Sequence, residues 1–297
     1  MPSISPIPII GHAIFMSHAL KLPTTDGWEQ PSGDPAAQQY PDALNEDPPS
    51  KIPIPTHFPV PFFQPQNPNR IHQDSCNEVG KKFQEFHDDM LDSVKFAVDM
   101  WRLTAYFNGL KIMAVVAIGQ PGCLKGQELE SFIKIAPSSV KYLAQANAKK
   151  YVDAVAAGVS KCFKDWQDQV MVPGLPWYPA FAAFPGPMAP PMPNVPVPLI
   201  ACVSSKMTRI MVPSQMKDEM INALDSGIKQ DDPDKQHEAL FDAIATALAL
   251  AFTMWLPSQQ VMLVMGYGNI PTFAPPYVPV GPVMNGQNLP TPGVFLT

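Results

Sequence analysis

Thirty-two of the chain's 37 prolines fall in residues 1–70, 173–198 and 271–292, which confines helices to the segments between them. Proline lacks an amide donor and disfavours helix in the residue before it, so these stretches must be extended or turn-rich. They are not polar linkers. Proline alternates with Ile, Val and Phe in Ile52-Pro53-Ile54-Pro55 and in Phe58-Pro59-Val60-Pro61-Phe62-Phe63. That composition suits a strap that buries apolar residues on a surface better than it suits a disordered spacer.

Between the straps, two stretches are versions of each other. One runs from Pro137-Ser138 through Asp153, Trp166 and Val170-Met171 to Phe181-Ala182. The other runs from Pro213-Ser214 through Asp242, Trp255 and Val261-Met262 to Phe273-Ala274. Asp precedes Trp by 13 residues in both, and Asp88 stands 13 before Trp101, which marks a third, worn copy. Apolar positions recur at helical spacing ahead of each Trp, as in Met90, Val94, Ala97 and Trp101 or Val155, Val159, Cys162 and Trp166.

Helices are therefore expected near residues 77–106, 138–167, 214–227 and 234–255. The run Leu110 to Ile118 reads as a buried strand or a short buried helix; its periodicity does not decide. The expected fold is mainly α: duplicated helical units with long proline-rich extended arms and short β segments. Four regions follow: a proline-rich arm at 1–76, a helix plus apolar segment at 77–122, a first repeat with its strap at 123–200, and a second repeat of two helices and a C-terminal strap at 201–297.

Charged residues make up 15% of the chain, well below the usual quarter, so part of the surface is expected to be covered by other chains. The net charge of -6 speaks against phosphate neutralisation, and nucleic acid is not an expected partner. The segment Ala243 to Leu256 is apolar on nearly every face but too short to span a bilayer, and Asp242 sits at one end. A buried central helix is the preferred reading over membrane contact. Pro2, Pro6 and Pro8 interrupt the N-terminus, so no secretory signal is expected. The cysteines, Cys76, Cys123, Cys162 and Cys202, form no C-x-x-C pair, in keeping with free thiols in a reducing cytoplasm.

No catalytic motif is present, and neither a cofactor nor a metal is expected. His72, Cys76 and His87 offer three zinc-type ligands, but no fourth stands at a standard spacing. Asp88, Asp89 and Asp92 read as a solvated helix face. The aromatics are the candidates for contact with partners: Trp101, Trp166 and Trp255 at the helix ends, Trp177, Phe181, Phe184, Phe273 and Tyr277 in the straps, and Phe58, Phe62 and Phe63 in the arm. For the three helix-end tryptophans, locking each helix onto its own strap is the stronger reading, because they continue the buried faces. The expected function is structural: a component of a large ordered assembly such as a virion, a phage tail or baseplate, or a contractile injection particle. It would be made in the cytoplasm, incorporated into the particle, and bound to other protein subunits or copies of itself. The alternatives are a membrane-active or secreted effector carried by such a particle and, third, a proline-rich adaptor.

Overall fold

The computed structural model describes Gly11, Ile14, Phe15, residues 68–230, Asp232, residues 235–273 and residues 281–296, with side chains of the first helix from Gly80 onward. Phe58, Phe62, Phe63 and Tyr277 lie outside the described residues, as does most of the arm expected at 1–76. The chain divides into two units, residues 1–18 with 87–297, and residues 19–86. The described part of the second unit is the helical segment from Pro68 to Phe86. The features below belong to the first unit.

The fold is not mainly α. Helices hold 53% and strands 21% of the described structure, and a seven-stranded antiparallel sheet stands beside the helices. Helix α1 (Pro68–Thr104) buries Met90, Leu91, Val94, Ala97, Val98 and Trp101 along one face. Short helices α2 (Leu129–Ile135) and α3 (Pro137–Val140) precede α4 (Ala146–Asp168). The helix expected over 138–167 is thus broken at residues 141–145. There Lys141 Nζ and the Tyr142 hydroxyl both reach Asp89 Oδ2, each at 2.5 Å, while Ser139 Oγ donates to Ser93 Oγ at 2.7 Å. These bonds tie the turn to α1.

After the turn α5 (Pro179–Ala182) come α6 (Thr208–Met211), α7 (Pro213–Ala223), α8 (Ser226–Gln230) and α9 (Gln236–Ser258). Met216, Met220, Leu224 and Ile228 are all buried at helical spacing, although α7 stops at Ala223, short of the expected 227. Helices α4 and α9, the two repeated ones, are each 23 residues long and both pack on α7. Helix α9 is apolar enough to cross a membrane by length and composition, yet Leu240, Phe241, Ile244, Leu248, Phe252 and Trp255 are buried within the unit.

The large sheet runs in the order β6 (Met188–Pro193), β10 (Met265–Asn269), β11 (Met284–Asn288), β2 (Lys111–Met113), β3 (Val116–Gly119), β5 (Val170–Pro176) and β8 (Val203–Ser204). Two small pairs stand apart, β1 (Tyr106–Phe107) with β4 (Leu124–Lys125) and β7 (Val197–Pro198) with β9 (Gln260–Val261). Much of the proline-rich stretch 173–198 is therefore strand. It is tolerated because β6 is an edge strand, where a missing amide costs no ladder bond, and because Pro173 lies where the register of β5 with β3 shifts. Two buried asparagines fasten the connections. Asn194 donates to Val261 O at 3.0 Å and accepts from Val264 N at 2.9 Å. Asn288 accepts from Leu110 N at 2.9 Å and donates to Phe107 O at 2.7 Å.

An ion network links α4, α6 and α7. Arg209 Nη2 reaches Asp165 Oδ2 at 2.6 Å and Glu219 Oε1 at 2.7 Å, while Lys161 Nζ reaches Glu219 Oε2 at 2.7 Å. Burial works against the Glu219 carboxylate, but the bonds from Lys161 and Arg209 outweigh it and hold its pKa below the ordinary 4.5. Asp232 is likewise desolvated, yet the His237 backbone and ring hold it below 3.8. A carboxylate depressed in this way stabilises the fold fully above its unfolded pKa and ceases to as pH falls through its folded one. The urea midpoint is therefore expected to drop as pH falls below about 4.5. Glu219→Gln should lower the midpoint at pH 7 and flatten this acid limb; an unchanged limb would contradict the role given to Glu219.

Candidate functional site

The three helix-end tryptophans converge. Trp101 is the hub, with ring centroids 5.0 Å from Phe163, 6.3 Å from Trp166 and 6.2 Å from Trp255. Phe252 completes the junction, 5.8 Å from Phe163 and 6.2 Å from Trp255. All three indoles are at most 2% exposed. The Trp101 Nε1 donates to Gln167 Oε1 at 2.6 Å, whereas the Nε1 atoms of Trp166 and Trp255 find no acceptor among the described residues. A Cβ at Gly126 would overlap the Trp101 indole, so this position must stay bare. The junction fastens the ends of α1, α4 and α9 to one another.

The strap aromatics are placed in several ways. Trp177 and Phe181 are buried, with centroids 6.1 Å apart, and Trp177 Nε1 donates to Met192 O at 3.0 Å. Trp177 packs over Gly266, where a Cβ would come within 2.8 Å of its Nε1. Phe184 and Phe273 are half-buried, and Phe184 bridges to Gly281.

Beside the junction lies a cleft of about 650 Å³. One face of α4 lines it with Ser160, Phe163, Lys164, Gln167 and Asp168; the segment from Lys125 to Leu129, the end of α1 at Leu103 and Thr104, Tyr106 and Pro292 complete the walls. Lys164 is paired with Glu128, and this bond raises its pKa, so it stays a cation rather than a nucleophilic amine. The lining contains no histidine or cysteine to activate Ser160. Burial pushes the Cys123 thiol up to about 11 and the Cys162 and Cys202 thiols up to about 12, which makes them poor nucleophiles. Among the described residues no three His, Cys, Asp or Glu side chains are grouped to hold a metal ion.

The other face of the large sheet is open. The ladder pairs Met113 with Val116, Lys111 with Ile118, Gln287 with Lys111, Tyr267 with Gln287 and Met171 with Val203, and all of these point away from the buried side of Ile112, Ala117, Val172 and Leu175. Met113, Val116, Ile118, Met171 and Val203 are between 38% and 54% exposed. Lys111 is the one charge these strands carry, and it has no salt bridge among the described residues. An antiparallel sheet facing water normally alternates apolar with polar residues. Here β2, β3, β5 and β8 carry apolar residues on both sides, with Lys111 on the open face, while β10 and β11 add Tyr267 and Gln287 to it. The sequence does carry the signal, because the run from Leu110 to Ile118 has no polar alternation apart from Lys111; without the pairing, however, nothing shows which residues form one face.

No protein-family model, curated protein or solved structure matches the chain.

Proposed function

We propose that this chain is a structural subunit of a large ordered protein assembly, such as a virion, a phage tail or baseplate, or a contractile injection particle. It would contact neighbouring subunits through the open face of its large sheet. The observation that carries this reading is that face: Met113, Val116, Ile118, Met171 and Val203 outward, with Lys111 as its one charge. The partner surface is accordingly apolar and holds a carboxylate to meet Lys111.

Magnitudes favour an assembly over an isolated pair. Burying the exposed parts of those five side chains contributes about 1 kcal/mol each. Association itself costs roughly 4–15 kcal/mol, so one such contact is weak alone and becomes strong when several neighbours are engaged together. The low charge content and the absence of a catalytic constellation among the described residues support the same reading. The effector alternative draws on α9, but a membrane-inserting α9 would first have to leave the core that buries it. The adaptor alternative has less to work with, since Pro173, Pro176, Pro190, Pro191 and Pro193 lie in strands.

A photoreactive side chain at position 118 tests the proposal, with one at exposed Val140 as control. In the native complex, position 118 should cross-link to a neighbouring subunit, and Ile118→Glu should block incorporation without altering the circular dichroism of the free chain. A chain that sediments as a free monomer in native extracts, with no cross-link from position 118, would overturn it.

A further inference from the structure

We infer that Asn108 is a site of spontaneous covalent modification, at which the folded chain loses a side-chain amide and gains an aspartyl or isoaspartyl carboxylate. The chemistry needs only the chain and water. The backbone N of the residue after an asparagine attacks the asparagine Cγ. A C–N bond forms, the side-chain nitrogen leaves as ammonia, and a succinimide ring remains. Water then opens the ring at either carbonyl, giving aspartate or isoaspartate and a new negative charge. Glycine in the following position favours the attack, because no Cβ shields its nitrogen and its backbone turns most readily.

The sequence holds two Asn-Gly pairs, Asn108-Gly109 and Asn285-Gly286, and the fold treats them differently. Asn108 and Gly109 lie between β1 and β2, outside any strand, and both are exposed. The chain is held on either side of them. Asn108 N donates to Cys123 O at 2.8 Å, and Leu110 N donates to Asn288 Oδ1 at 2.9 Å. Neither the Asn108 carboxamide nor Gly109 N has a hydrogen bond among the described residues, so the attacking group and its target are both unengaged. A Cβ at Gly109 would meet nothing within 4 Å, which leaves room for the ring to close.

Asn285 is exposed as well, but Gly286 is clamped within the sheet. It pairs with Ile112 of β2, and a Cβ there would stand 2.8 Å from Tyr267 O of β10 and 3.2 Å from Ile112 Cβ. Strand β11 has neighbours on both sides, so turning the peptide between Asn285 and Gly286 requires the sheet to open first. Asn108 therefore reacts from the native state, whereas Asn285 reacts only from an opened one.

Incubating the full chain at mildly alkaline pH, folded and in concentrated urea, tests this, with peptide mapping by mass spectrometry at both asparagines. In urea the two should convert at similar rates, since both precede glycine. In the folded chain Asn108 should keep nearly its rate in urea, while Asn285 slows by about tenfold or more, the factor set by an opening that costs about 1.4 kcal/mol. An isoaspartyl methyltransferase should label the tryptic peptide 103–111 of the aged, folded chain, and Asn108→Gln should remove that label without changing the melt. The inference is overturned if folding slows Asn108 by about tenfold, the protection expected of a residue locked in the fold. It is equally overturned if Asn285 converts as fast as Asn108 in the folded chain.

Discussion

Trp101→Ala is expected to cost about 5 kcal/mol, enough to unfold a chain of ordinary stability. Trp101 is fully buried and contacts Phe163, Trp166 and Trp255, so truncation leaves a cavity where three helices meet. Removal of a buried Trp accounts for roughly 3–5 kcal/mol. Gln167 Oε1 would also lose its donor, at a further cost of about 1 kcal/mol or more. Conservative replacements separate the two effects. Trp101→Phe keeps most of the packing but forfeits the bond to Gln167. Trp166→Phe and Trp255→Phe forfeit no bond, because neither indole N–H has an acceptor among the described residues. Urea unfolding should therefore rank Trp101→Phe as more damaging than either of the others. Equal losses at all three would mean that the Gln167 bond adds nothing to the junction.

The second large effect is expected at Gly158, in the middle of α4. By intrinsic preference alone, alanine there would favour the helix by about 1 kcal/mol. Packing reverses the sign. A Cβ at Gly158 would stand 2.6 Å from Met220 Cγ, 2.7 Å from its backbone N and 2.8 Å from its Cα. The Met220 side chain can move aside; its backbone can do so only if α7 separates from α4. Gly158→Ala is expected to destabilise by about 2–3 kcal/mol net, which lowers the Tm by about 5–10 °C for a unit of this size. Shortening the neighbour instead of moving it, as in Gly158→Ala with Met220→Ala, should not restore stability, because the backbone atoms remain in the way. A melt equal to or above that of the native chain would show that the two helices tolerate separation.

The helices were legible because their pattern is local. Met90, Val94, Ala97 and Trp101 share a face within a few turns, and the same holds for Met216 and Met220. The sheet was not legible, since its ladders join distant segments: Ile112 pairs with Gly286 and Gly268 with Ala189. Its strands run from two to seven residues, too short for alternation to stand out, and several contain proline. The hairpin between β2 and β3 hides its turn as well. Ala114 takes φ 54°, a left-handed conformation normally signalled by glycine or asparagine. The cleft gave no sign in sequence because Lys125 and Leu129 meet Ser160 and Gln167 only through the fold.

By itself, the sequence determined roughly where the four main helices lie, though not that the first starts at Pro68 or that the second is broken at residues 141–145. It also determined that Trp101, Trp166 and Trp255 occupy equivalent positions and that the chain carries little charge. These depend on neighbours along the chain and on composition. Only the tertiary structure decided that the three indoles form one junction, that proline-rich segments enter a sheet, and that one face of that sheet is apolar and open. Those outcomes rest on pairings between residues far apart in sequence. In such pairings the loss of chain entropy is offset by packing that local pattern does not encode.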